Sequence, residues 1–248
     1  MLAAGCVGRR AGAVGSRLAR AYGAGSSVRS TTLDSGLVVN TVDTQGPLAS
    51  VELVVEAGTR HETYASAGSS YYLERLATLS TPRRSQVRLI HDIESTLGFQ
   101  VQRGHESTTI ATRALREDAA SAVELVLDTT RPSCLEYEIR DVAKVIAADA
   151  QARLACPVTR VTDAIHQTAY RSHALGRPKY GLPHAALDQA TVMGYLYAHW
   201  TAPRASLWVT NMDHDAAVAA ATGAAGFANV VDGLAGGPPG SPPGDRGG

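Results

Sequence analysis

Cysteine is scarce in this chain of 248 residues: Cys6, Cys134 and Cys156 are the three thiols, and no two of them form a C-x-x-C pair. Scattered thiols of this kind suit neither a disulfide framework nor a cysteine zinc cage, and they point to a reducing compartment. A continuous apolar run of about 18 residues is also missing, so no segment has the length and hydropathy to cross a bilayer as a helix. Any membrane association is then expected through partners. The eight histidines, at 61, 91, 105, 166, 173, 184, 199 and 214, contain no pair three or four residues apart, which removes the helical spacing that places two imidazoles on one zinc ion. A surplus of positive charge is lacking too. Lys and Arg total 23 against 23 Asp and Glu, and five of the arginines (Arg9, Arg10, Arg17, Arg20 and Arg29) precede the first acid, Asp34. The remainder is acidic on balance, with no basic face for phosphates, so nucleic acid is not an expected partner. No long-period repeat is present, which leaves solenoids and propellers unsupported.

What the chain does have is 44% hydrophobic residues, enough at this length for one substantial core. Residues 1–30 are rich in Arg, Ala and Ser and free of acids, the composition of a mitochondrial transit peptide, with Arg20-Ala21-Tyr22 before Gly23 as a cleavage-like site. An arginine-rich tail that stays attached is the alternative. At the other end, residues 236–248 hold six Gly and four Pro in thirteen positions and read as disordered, giving a folded module over 31–225 and a tail over 226–248.

Within the module, β-branched residues around Asp34-Ser35-Gly36 predict a hairpin, Val51–Ala57 a second strand and Tyr71–Leu79 a helix. Ser85 is placed to cap a helix with Val87, Ile90, Ile93 and Leu97 on one face, Arg84, Arg88 and Asp92 toward water, and Gly98 at its end. Phe99–Arg103 and Thr108–Leu115 alternate as adjacent antiparallel strands, followed by a helix through Val123, Val126 and Leu127. Helical spacing runs from Glu136 to Arg171 with a break at Pro157, then from Asp188 to Trp200, before the strand Ala205–Thr210. The class is α+β, a mostly antiparallel sheet with helices packed on one side.

One stretch carries a resemblance. Gly68-Ser69-Ser70-Tyr71-Tyr72-Leu73-Glu74-Arg75 opens a helix after a strand and Ala57-Gly58-Thr59-Arg60, the setting in which inverted zinc peptidases carry G-x-x-H-x-x-E-H. Leu79-Ser80-Thr81, Leu115-Arg116-Glu117-Asp118, the run Val161–Arg171 and Ala174-Leu175-Gly176-Arg177-Pro178 extend it. The chain resembles the mitochondrial processing-peptidase family, most of all the core protein 2 type of respiratory complex III, over residues 30–215. That is one module where the mitochondrial members carry two.

In an active member of the family, two imidazoles one turn apart hold zinc and the intervening Glu activates the bound water. Here Tyr71 and Arg75 stand at both imidazole positions. Glu74 keeps the place of the base, and the family's third ligand, a Glu on a later helix, aligns at or beside Asp149. Tyrosine is a rare zinc ligand and a guanidinium repels cations, so the resemblance implies no catalytic residue, no metal and no cofactor.

It further implies a structural subunit of complex III (ubiquinol-cytochrome c reductase) on the matrix side of the mitochondrial inner membrane, partnered by core protein 1 and other subunits of that complex. The alternative is the non-catalytic α subunit of the processing peptidase, which binds presequences through a glycine-rich loop. No such loop precedes the Gly/Pro tail here. An active zinc endopeptidase requires ligands that these positions do not offer.

Plainer roles are open to the same residues. Glu74 can pair with Arg75 or Arg84 on its helix. Tyr71 and Tyr72 suit core packing with hydroxyls at the rim better than a peptide cavity. His166, Tyr170 and Arg171 read as a packed helix surface, and Arg83, Arg84 and Arg88 as a solvated face or a dock for an acidic neighbour.

Overall fold

The computed structural model describes residues 27–171, 173–177 and 187–224. Residues 1–26 of the proposed leader with its cleavage site, Cys6, Pro178 and the Gly/Pro tail lie outside these residues; of the leader's last four, Arg29 and Ser30 already belong to the first strand.

Strands β1 (Arg29–Thr32) and β2 (Val38–Val42) form the expected antiparallel hairpin, turning at Gly36, whose φ of 87° is a left-handed value that suits glycine. Strand β3 (Leu48–Val55) pairs antiparallel with β5 (Thr108–Leu115), which pairs antiparallel with β4 (Phe99–Arg103). Strand β6 (Ala205–Thr210) inserts between the two groups, parallel to β2 and antiparallel to β3, so the six-stranded order is β1-β2-β6-β3-β5-β4. The sheet is therefore mixed, with β2–β6 as its parallel pair among the described strands.

Alternation on the strands decides which face is covered. Val39, Val51, Leu53, Val55, Ile110, Leu207 and Val209 share one face and join a single buried cluster with the helices. To it α1 (Ser69–Leu76) contributes Tyr72, Leu73 and Leu76, and α3 (Ala119–Asp128) contributes Val123, Val126 and Leu127. Ile139 and Val142 come from α4 (Glu136–Leu154), Val192, Tyr195 and Leu196 from α6 (Gln189–His199). The helix α7 (His214–Gly223), not foreseen above, adds Ala217 and Ala221 and is capped by Asp213, whose carboxylate accepts from the amides of Asp215 and Ala216. Its small residues give little apolar periodicity, so the sequence pattern does not predict it. Among the described residues no helix is long and apolar enough to cross a membrane.

One helix departs from the sequence expectation. In α2 (Gln86–Glu94) the fully buried residue is Leu89, while Val87 is 80% exposed, and Ile90 and Leu97 are also exposed. The charged side is what anchors it: Arg84 donates to Asp92 at 3.0 Å and to the buried Asp128 of α3 at 2.5 Å, so Arg84 and Asp92 face the protein and only Arg88 faces water. A buried carboxylate needs a cation, and that requirement overrides the apolar stripe. Gly98 does not end the helix, which stops at Glu94. At φ 142° it turns the chain into β4 instead. In α5 (Pro157–Tyr170) His166 turns toward the protein with Thr159 and Asp163, as the packed-surface reading expects, but Tyr170 and Arg171 are exposed, and Val158, Val161 and Ile165 are 74%, 59% and 61% exposed.

Candidate functional site

The loop before α1 fixes where that helix starts. Glu62 is buried, and its carboxylate accepts from the amides of Gly68 (2.9 Å) and Ser70 (3.0 Å) and from the Ser70 hydroxyl (2.5 Å). A carboxylate on the open amides of a helix N-terminus satisfies donors that have no helical partner and complements the helix dipole. Gly68 takes the N-cap position with φ 101°. With the start fixed, Tyr71 and Arg75 project one turn apart on the same side.

They meet Asp149 of α4. The Tyr71 hydroxyl donates to Asp149 Oδ2 at 2.6 Å, and Arg75 Nη2 donates to that same oxygen at 2.6 Å and more weakly to the Tyr71 hydroxyl at 3.4 Å. Burial and the Asp149 bond both push the Tyr71 pKa up, so the phenol remains a donor. Its bond to Tyr71, more than its pairing with Asp149, raises the Arg75 pKa.

Glu74 does not pair with Arg75 or Arg84 as its helix position suggested. Its partner is Arg103, the last residue of the edge strand β4, with Nε 3.0 Å from Glu74 Oε2. Arg103 lies in the row Val55–Thr108–Arg103 on the covered face of the sheet, and its side chain has no exposure. The guanidinium also stands 4.6 Å from the centroid of the Tyr71 ring. Tyr71 and Tyr72 are both buried, and Tyr72 packs in the core. The fold thus brings Tyr71, Glu74, Arg75 and Asp149 together and adds Arg103, which no spacing in the sequence tied to them.

A second polar group lies around the 3-10 turn Thr59–His61. His105, in the β4–β5 turn, is 3.0 Å from the Thr59 hydroxyl and stacks on His166 of α5, with ring centroids 4.7 Å apart. His61 lies 5.4 Å from His199 of α6, and Arg204 donates to His199 Nδ1 at 2.7 Å. Burial first, then Arg204, lowers the pKa of both His61 and His199, with Arg60 adding for His61 and His61 adding for His199. Tyr195 packs beside His199 and donates to the Gly58 carbonyl at 2.9 Å. These four histidines come from four separate segments, so nothing in their spacing announces the group. Among the described residues no group of three or more His, Cys, Asp or Glu is placed to hold a metal ion.

The sequence profile of insulinase (peptidase family M16) matches residues 37–181. The chain belongs to peptidase family M16. The M16 chain is 29% identical over 195 residues to the probable mitochondrial-processing peptidase subunit alpha-2, chloroplastic/mitochondrial, of Arabidopsis thaliana, covering 77% of this chain and 39% of that one. It is 27% identical over 189 residues to cytochrome b-c1 complex subunit 2, mitochondrial, of Rattus norvegicus, covering 74% and 41%. With the mitochondrial-processing peptidase subunit beta of Homo sapiens it shares 32% identity over 181 residues, covering 71% and 37%. The chain thus spans about two fifths of the length of these relatives. A protease from Helicobacter pylori has the same fold, with a TM-score of 0.76 at 16% identity over 81% of this chain and 50% of that structure.

The family implies zinc, and the donors at these positions do not suit it. The oxygen that Asp149 turns to the site already accepts from a phenol and a guanidinium, and the side chain at position 75 brings a permanent positive charge to where a cation would sit. No imidazole belongs to the group.

Proposed function

We propose that this chain is a non-catalytic M16 module of the mitochondrial cytochrome b-c1 complex, a structural part of a core-protein-2 type subunit on the matrix side of the inner membrane. The observation that carries the reading is the Arg75–Asp149 pair at 2.6 Å, formed where the family places its metal. Glu74, at the position of the family's general base, is held by Arg103.

The mitochondrial relatives support the compartment, and Leu115–Asp118 with Val161–Arg171 support the core-protein branch. The work of such a subunit is burial of interface against core protein 1 and its neighbours. Affinity purification of the tagged chain from mitochondria, followed by native gels and mass spectrometry, tests the reading. Co-migration with cytochrome b and core protein 1 is the expected result. Recovery with a zinc-bearing processing-peptidase β subunit alone overturns it in favour of a presequence-binding α subunit.

A further inference from the structure

We infer that the Arg75 guanidinium is an internal replacement for the metal ion: it supplies the fixed positive charge that ties α1 to α4 at the point where three side chains converge. The convergence is specific. Tyr71 and Arg75, one turn apart on α1, reach a single oxygen of Asp149 on α4, each at 2.6 Å. A divalent ion would draw ligands from those same three positions to one point, because a turn-spaced pair on one helix and a carboxylate from another is the arrangement by which such an ion clips two helices together. Here the point is held by a cation built into the chain.

The replacement changes what the link depends on. A metal clip varies with metal supply and with deprotonation of its ligands. The arginine charge varies with neither, since the guanidinium is protonated throughout the physiological range. The buried Tyr71 hydroxyl takes the second place on the carboxylate, and the buried Arg103 beside its ring holds Glu74. Each carboxylate of the group is thus already paired with a guanidinium, and a divalent ion entering here would have to displace a fixed cation to reach one.

The inference concerns the link itself and stands whichever complex the chain joins, so its test is independent of co-purification. In the full chain, neither zinc nor a chelator shifts Tm. The double variant Y71H/R75H, which returns imidazoles to both α1 positions, gains stoichiometric zinc binding by calorimetry and a zinc-dependent rise in Tm, and adding Asp149→Asn to it weakens binding at least tenfold. A folded double variant that binds no zinc, or binds it equally well without the carboxylate, overturns the inference.

Should that variant fail to fold, a thermodynamic cycle decides. R75M lowers Tm by about 2–4 °C and D149N by at least as much, since Tyr71 also donates to Asp149, and together they lower it no further than D149N alone, because both remove the Arg75–Asp149 link. Losses that add show two independent contributions and overturn it.

Discussion

The Tyr71–Arg75–Asp149 group and the histidines around Thr59–His61 differ in how the fold assembles them. The first rests on a helix, where two residues four apart must share a side, and it needs one remote partner to be complete. The second draws His61, His105, His166 and His199 from a turn, a hairpin tip and two helices. The position where this family keeps imidazoles has none, whereas the place where imidazoles gather follows no motif. Ion pairing holds the first group together, while in the second burial and the nearby arginines favour the neutral form of His61 and His199.

The comparison breaks most sharply at Arg103. Its side chain is wholly buried and pairs with Glu74, so Arg103→Met strands a carboxylate beside the core and removes the cation facing Tyr71. A loss of about 3 kcal/mol is expected, read as a lower urea midpoint with an unchanged slope.

Next comes Gly58, the backbone on which the histidine group is built. A Cβ there would lie 2.6 Å from the His105 carbonyl oxygen, a backbone atom that cannot move without displacing the hairpin tip. Gly58→Ala is expected to cost about 2 kcal/mol in thermal or urea unfolding and to loosen the His105–His166 stack, seen as faster amide exchange at the N-terminal end of β5 and in α5.

The smallest effect is the pH dependence. His61 and His199 have folded pKa values below the ordinary 6.5, so the unfolded chain takes up their protons first. The stability they provide is present above about 6.5 and is lost as pH falls from there through the folded values. His199 faces His61, Arg204 and Tyr195, and His61 faces Arg60, Arg204 and Glu106, so added charge meets more cations than anions. Tm should therefore fall on mild acidification, and His199→Gln should flatten that fall; a slope as steep as before would assign the acid sensitivity elsewhere.

How much was legible follows from the range of the interactions. Strands β4 and β5 lie where the alternation placed them, because alternation is a local consequence of one covered face. The turn-spaced Tyr71 and Arg75 could be read for the same reason, and Asp149 through the family resemblance. The buried side of α2 could not, since Arg84 answers to Asp128, a residue on another helix. Nor could the Glu74–Arg103 pair, which depends on β4 being the edge strand next to α1. In α5 the packing of His166 was legible, but its partner His105, on a distant hairpin tip, was not, nor was the exposure of Val158, Val161 and Ile165.

The place of β6 bears on how the chain is made. Its residues 205–210 come after the other described strands, yet it lies between β2 and β3 and is hydrogen-bonded to both. While the polypeptide emerges from the ribosome, the β1–β2 hairpin and the β3–β5–β4 group can each form, but nothing joins them. Two open edges, β2 and β3, wait for one late segment, and open edges invite pairing with other chains. The module becomes a single sheet only when nearly all of it has been synthesised, and until then the growing chain is best kept apart from its neighbours by a chaperone.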